Sequence, residues 1–198
     1  MTDDAHAAEM KKLQAAQRAK AAELRDPERG LVLVLTGDGK GKSSSAFGMA
    51  VRALGWGRTV GVVQFIKGDW VTGEKQFFDR LPEVTWRTMG EGFTWDTQDA
   101  ARDRAAAAAA FAAAREMMAS GDYDLILLDE VNVAIGLGQI DAGTVSDGVA
   151  ARHPRTAVVL TGRGAPDTLR ETADLVSEVA EVKHPFHAGI RAQRGLDY

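Results

Sequence analysis

Lys42 and Ser43 close a glycine-rich turn, Thr36-Gly37-Asp38-Gly39-Lys40-Gly41, in a position suited to phosphate chemistry. An apolar run, Leu31 to Leu35, precedes the turn, and Ser43 to Ala50 begins a helical stretch. Strand, glycine loop and a helix opening on Lys-Ser form the layout of a phosphate-binding P-loop. Gly37, Gly39 and Gly41 lack a Cβ, so the backbone can curl with several N–H groups facing inward. The helix N-terminus adds unpaired donors and partial positive charge. Lys42 can then reach outer phosphates, and the Ser43 hydroxyl suits a phosphate-bound magnesium. One position departs from the pattern G-x-x-x-x-G-K-[ST]: Thr36 stands where the first glycine is expected.

Further candidates lie where other predicted strands end. Asp129 and Glu130 end the apolar run LILLDE, and an acid there holds magnesium or its water in P-loop proteins. Arg163 sits between two glycines in TGRG, where a freely presented guanidinium suits phosphate. Phe93 and Trp95 occupy a polar loop and have two readings: packing onto the core, or a platform for a flat ligand. Gln64, Lys67, Trp70 and Glu74 border the same predicted cleft without individually readable roles. His184 and His187 are spaced i, i+3, but Pro185 intervenes and no third metal ligand is evident.

These groups need a sheet to bring them together. Apolar strands are expected at Leu31 to Leu35, Thr59 to Ile66, Val84 to Met89, Tyr123 to Asp129, Thr156 to Leu160 and Leu175 to Val182. Helices are expected between them, at Ser44 to Leu54, Glu74 to Leu81, Asp99 to Ser120, Asp141 to Arg152 and Ala165 to Ala173, with a helix or helix–turn at Val131 to Ile140. The alanine run Ala105 to Ala110 is explained by helix propensity alone. Strands alternating with helices predict an α/β fold, a mainly parallel sheet flanked by helices. Ligands of such sheets bind at the carboxyl ends of the strands, where all these loops lie. Residues 1–29 are polar, alanine-rich and helix-prone, and read as a helical or flexible arm; residues 30–198 read as one P-loop α/β domain. The tail Lys183 to Tyr198 is basic and turn-rich.

Composition narrows the class of partner. Lys and Arg number 24 against 28 Asp and Glu, a net charge of −4, which argues against a nucleic-acid partner. There is no cysteine, so thiol and disulfide chemistry are excluded. No apolar run approaches the ~20 residues of a membrane span, and the N-terminal segment lacks an apolar signal core, so the expected compartment is the cytoplasm.

In order along the chain, RGLVLVLTGDGKGKSSSAFGMAVRALGWG, VGVVQFIKGDW with the following GE, GFTWDTQ, LILLDE, TGRG and VKHPFHAGIRAQRGLDY resemble the ATP:corrinoid adenosyltransferases. The resemblance runs from about Arg29 to Tyr198, and ordinary P-loop ATPases carry neither GFTWDTQ nor the closing GLDY. It implies a RecA-like P-loop nucleoside triphosphate-binding fold, often as a homodimer. The implied reaction is attack of Co(I) on the 5′ carbon of ATP with release of triphosphate. The family loop usually reads TGNGKGKTT, so Asp38 replaces Asn, and Ser43 and Ser44 replace Thr while keeping the hydroxyls. Gly37, Asp38, Gly39, Lys40, Gly41, Lys42, Ser43, Ser44 and Arg163 are thereby implied in ATP binding. Ser43, Asp129 and Glu130 are implied in holding Mg2+, with Mn2+ as the alternative. Lys42, Phe93 and Trp95 are implied in catalysis, the two aromatics facing the corrin and helping to remove its lower ligand. A flavoprotein or flavodoxin-like electron donor is implied as the source of Co(I). Two other readings remain at this stage: a RecA-like P-loop ATPase hydrolysing ATP to ADP, and a nucleotide-dependent binding module without turnover.

Overall fold

The computed structural model describes residues 3–25, 27–66, 72–88 and 100–197. In chain order the elements are α1 (Asp3–Ala22), β1 (Val32–Thr36), α2 (Lys42–Gly55), β2 (Val60–Gln64), α3 (Gly73–Phe78), β3 (Val84–Thr88) and α4 (Ala100–Ser120). Then follow β4 (Leu125–Asp129), α5 (Val131–Gly136), α6 (Ala142–Ala150), β5 (Ala157–Thr161), α7 (Asp167–Thr172), β6 (Leu175–Glu178) and a 3-10 turn, Pro185–Ala188. The six strands form one sheet in the order β3-β2-β4-β5-β1-β6. Every pairing is parallel. The expected α/β architecture is present.

Side-chain alternation explains the layering. Val60, Val62, Leu125 and Leu127 point to one face with Leu35 and Val159, where Phe47 of α2 and Phe78 of α3 cover them. Val63, Ile126, Leu128, Val158 and Leu160 point to the other, beneath Phe111, Met117 and Met118 of α4, Val145 of α6 and Leu169 of α7. Leu125 to Leu128 are therefore buried on both faces, as a central parallel strand requires. Each such side chain stabilises the fold by roughly 1.5–3 kcal/mol relative to exposure. Ala107, Ala110 and Ala114 are buried, so part of the alanine-rich stretch serves as a small-residue packing face.

The order of the strands positions the site. β5 lies between β1 and β4. The turn after β5 therefore stands between the glycine loop after β1 and the acid pair after β4.

The last strand differs in extent: β6 stops at Glu178 rather than Val182, because residues 179 and 180 leave the sheet ladder to run against the glycine loop. As expected of a helix–turn, α5 ends at Gly136 and a turn follows, and Asp141 caps the separate helix expected after it by accepting from the Thr144 N–H at 2.8 Å. In α1, every described side chain is exposed.

Arg29 and Asp174 pin the start of β1 to the start of β6. The guanidinium donates twice to the carboxylate, at 2.5 and 2.8 Å, and the Val32 N–H donates to it at 2.8 Å. These donors hold the Asp174 carboxyl down at about 2. An acid whose folded pKa is depressed stabilises above its unfolded pKa and loses that contribution as pH falls through the folded value. In denaturant titrations, Asp174→Asn is expected to be less stable than wild type at pH 6, and the gap should narrow as pH falls from 4 toward 2. A gap independent of pH would contradict this.

Candidate active site

The loop after β1 is shaped from two sides. Behind it, the Gly39 N–H donates to the Val179 carbonyl at 2.8 Å, and the Val179 N–H donates to the Thr36 carbonyl at 2.8 Å. A Cβ on Gly37 would lie 2.5 Å from the Val179 oxygen, and one on Gly39 2.5 Å from the Ala180 oxygen. Gly41 differs: it has φ of +116° and open space where its Cβ would be. Gly37 and Gly39 thus admit a neighbouring backbone, whereas Gly41 supplies the left-handed turn that starts α2. No side chain caps α2 and no acid lies in its first turn, leaving its first N–H donors to the cleft.

Thr36 accounts for the departure from the P-loop pattern. It is buried, and its hydroxyl accepts from the Ala165 N–H at 3.1 Å. The residue in the first-glycine position therefore ties the loop to the turn that carries Arg163.

Lys42 is 7% exposed, and its ammonium donates to the Gly39 carbonyl at 2.5 Å. Burial lowers its pKa, opposed by the charge of Glu130. Across the cleft, Asp129 is buried. It accepts from Thr161 Oγ1 at 2.8 Å and from Gln64 Nε2 at 3.2 Å. Burial nevertheless raises its pKa. Glu130 adopts a left-handed conformation, φ 60° and ψ 20°, rare for a residue with a side chain. Its N–H donates to Thr161 Oγ1 at 2.9 Å. Burial, and then the adjacent Asp129, push its carboxyl up to about 7 against the opposing pull of Lys42 and Arg163.

These groups line one cleft of about 460 Å³. Its walls include Gly39, Lys40, Gly41, Lys42, Ser43, Ser44, Gln64, Glu74, Asp129, Glu130 and Arg163. Gly37 and exposed Asp38 do not line it. Lys40 does, but its ammonium pairs at 2.5 Å with Asp197 in the closing GLDY. Asp197 also accepts from the Gln193 N–H at 2.7 Å and lines the cleft. The expectations at Phe93, Trp95, Lys67 and Trp70 fall outside the described residues.

Thr161 carries no signal in its local sequence, and the closing GLDY marks Asp197 by resemblance without announcing Lys40 as its partner. Asp197 is 157 positions from Lys40, and a threonine at a strand end is unremarkable until β5 is seated between β1 and β4. His187 pairs with Glu181 at 2.7 Å, while His184 Nδ1 accepts from the Phe186 N–H. Among the described residues no group of three His, Cys, Asp or Glu is arranged to hold a metal. No described helix is long and apolar enough to cross a membrane.

Residues 28–198 match the family described as ATP:corrinoid adenosyltransferase BtuR/CobO/CobP. The chain is 50% identical over 197 residues to a corrinoid adenosyltransferase of Pseudomonas aeruginosa, covering 99% of this chain and 97% of that one. It is 40% identical over 198 residues to the corrinoid adenosyltransferase of Escherichia coli K12, covering both chains fully. It is 39% identical over 198 residues to that of Salmonella typhimurium, again covering both chains fully. With its glycine loop, uncapped helix and paired acids on one cleft, the chain belongs to the ATP:corrinoid adenosyltransferase family.

Proposed function

We propose that the cleft binds Mg-ATP by its triphosphate and that the enzyme transfers the 5′-deoxyadenosyl group to the Co(I) of a reduced corrinoid in cobalamin biosynthesis. The observation that carries this reading is the convergence of Lys42, Arg163 and the uncapped start of α2 on a cleft faced by Asp129 and Glu130, in a chain of this family. ATP hydrolysis to ADP is not favoured.

The reaction is alkyl transfer. The cobalt electron pair forms a bond to C5′, the C5′–O bond breaks, and its electrons leave on the triphosphate oxygen. Cobalt passes formally from Co(I) to Co(III). Negative charge thus grows on the triphosphate, and the enzyme must meet it with donors already in place. Lys42 is suited to this: the Gly39 carbonyl holds its ammonium before the substrate arrives, and burial strengthens its field. Arg163 supplies a second, exposed cation on the same cleft. Ser43 and Ser44 present hydroxyls at the start of α2. No protein base is required, because the nucleophile is the substrate cobalt.

The oxygen donors of Ser43, Asp129 and Glu130 fit a hard divalent cation that keeps phosphate and water ligands. When bound, Mg2+, or Mn2+ in its place, would neutralise charge on the leaving triphosphate. Asp129 would hold it through a carboxylate that Thr161 and Gln64 already orient. Phe93 and Trp95 are assigned to the corrin face, and the backbone from Gly41 into the start of α2 to the phosphates. A flavoprotein or flavodoxin-like donor is assigned to supply Co(I). The arm of residues 1–29 is assigned to cover the corrin, with residues 30–198 as the catalytic domain of a cytoplasmic homodimer.

Substitutions at Lys42 and at Trp95 should separate nucleotide binding from corrinoid chemistry. Lys42→Ala is expected to weaken Mg-ATP binding by about tenfold or more in calorimetric titration, since it removes a charge-assisted contact. Trp95→Ala should leave that affinity unchanged within roughly twofold while impairing Co(II) reduction and turnover, followed spectrally without oxygen. Equal activity of Trp95→Ala and wild type would remove Trp95 from the mechanism.

Glu130 gives a test that needs no substrate. Its folded pKa, about 7, lies above the ordinary 4.5, so between those values the folded state binds more protons and stability falls as pH rises. Glu130→Gln should therefore match wild type near pH 5 and exceed it near pH 8, by on the order of 1–3 kcal/mol, in thermal or denaturant unfolding. A variant less stable than wild type at pH 8 would contradict the account of this site.

A further inference from the structure

Asn132 lies on α5, two residues beyond Glu130, and is completely buried. Its Nδ2 donates to the Gly162 carbonyl at 3.3 Å. Its Oδ1 is the one buried side-chain oxygen or nitrogen without a partner among the described residues. A buried acceptor left unpaired costs stability, and an apolar side chain of similar size would avoid that cost. The amide is therefore poorly explained as core packing. What it does is hold one particular carbonyl.

That carbonyl belongs to the peptide unit joining Gly162 to Arg163. The unit is planar, so fixing its oxygen fixes the plane from which Arg163 departs. The turn is anchored on either side, by the Gly162 N–H donating to the Leu35 carbonyl at 3.2 Å and the Ala165 N–H donating to the Thr36 hydroxyl at 3.1 Å, but neither bond holds the Gly162 oxygen. Gly162 and Gly164 have φ of +125° and +67°, conformations that flexible glycines enter and leave freely. The approach is close: a Cβ on Gly162 would lie 3.0 Å from the Val133 nitrogen, 3.1 Å from Asn132 Cβ and 3.2 Å from Glu130 Oε2. Thr161 joins the same two segments one residue earlier, donating to Asp129 and accepting from the Glu130 N–H. Two side chains thus stitch the end of β4 to the end of β5, and Asn132 is the one that reaches the arginine turn.

We infer that Asn132 is a positioning residue for adenosyl transfer: its amide clamps the Gly162–Arg163 peptide and so sets where the Arg163 guanidinium enters the ATP cleft. The inference rests on the reading of Arg163 as a triphosphate contact. Asn132 touches no substrate in this account. Its effect on the reaction passes through Arg163.

A double-mutant cycle on the full chain, assayed anaerobically with Mg-ATP and a Co(I) corrinoid, tests it. Arg163→Ala is expected to raise the KM for ATP by about tenfold, as loss of a charge-assisted phosphate contact. Asn132→Ala is expected to raise it by roughly three- to tenfold with kcat changed less than KM. In the Arg163→Ala background, Asn132→Ala should add nothing to KM, even where it lowers Tm. Equal and additive effects in both backgrounds would mean a merely structural asparagine and overturn the inference. If Arg163→Ala left KM unchanged, the reading of Arg163 would fall, and the inference with it, whatever Asn132→Ala did. Should Asn132→Ala not fold, Asn132→Ser enters the same cycle with the same expectation, because its hydroxyl is one bond too short to reach the carbonyl.

Discussion

A backbone passes behind the glycine loop at a distance that admits no side chain. Val179 and Ala180 approach Gly37 and Gly39 so closely that a Cβ on either would lie 2.5 Å from a carbonyl oxygen. The Gly39 N–H is spent on Val179, so the rear of the loop is satisfied by protein. The donors that remain face forward, at Gly41 and the start of α2. β6 ends early for the same reason, since its continuation serves the loop instead of the sheet. The closing tail completes the arrangement from the outside by pairing Asp197 with Lys40. Shape at the phosphate end thus depends on segments more than a hundred residues away in sequence.

Charge is partitioned along the cleft with similar economy. Two cations, buried Lys42 and exposed Arg163, face two acids, Asp129 and Glu130, across one cleft. An unpaired carboxylate in such a place is costly, and burial raises both carboxyls. A divalent cation and a triphosphate together would balance this set, each meeting groups of opposite sign. Asp129 is steadied by Gln64 and Thr161, drawn from β2 and β5. Those two strands must flank β4 before the acid can point anywhere useful.

Much of this was legible in the residues themselves. Leu125 to Leu128 read as a strand buried on both faces, and both faces are covered. Lys42, Ser43, Asp129, Glu130 and Arg163 were each placed at a strand end by their apolar neighbours, and one cleft gathers them. What was not legible depends on strand order. Thr36 looked like a defect in the P-loop until β5 was seated beside β1, where its hydroxyl meets Ala165. Lys40 looked like a free phosphate ligand, because nothing local announces Asp197 as its partner. The left-handed Glu130 was equally silent, since its conformation answers to packing at the end of β4 and not to its neighbours in sequence. Asp38, implied in ATP binding by the resemblance, is exposed and off the cleft wall.

The central claim is that this P-loop supports alkyl transfer, with the whole triphosphate as leaving group. It is tested most directly by identifying the nucleotide product. Purified protein, Mg-ATP and a Co(I) corrinoid would be combined under strict reduction, the cobalt–carbon bond followed by its spectrum and the nucleotide fragments by chromatography. Adenosylated corrinoid formed in step with inorganic triphosphate is the predicted result. ADP without an adenosylated product would mean that the cleft serves hydrolysis, and would contradict the account.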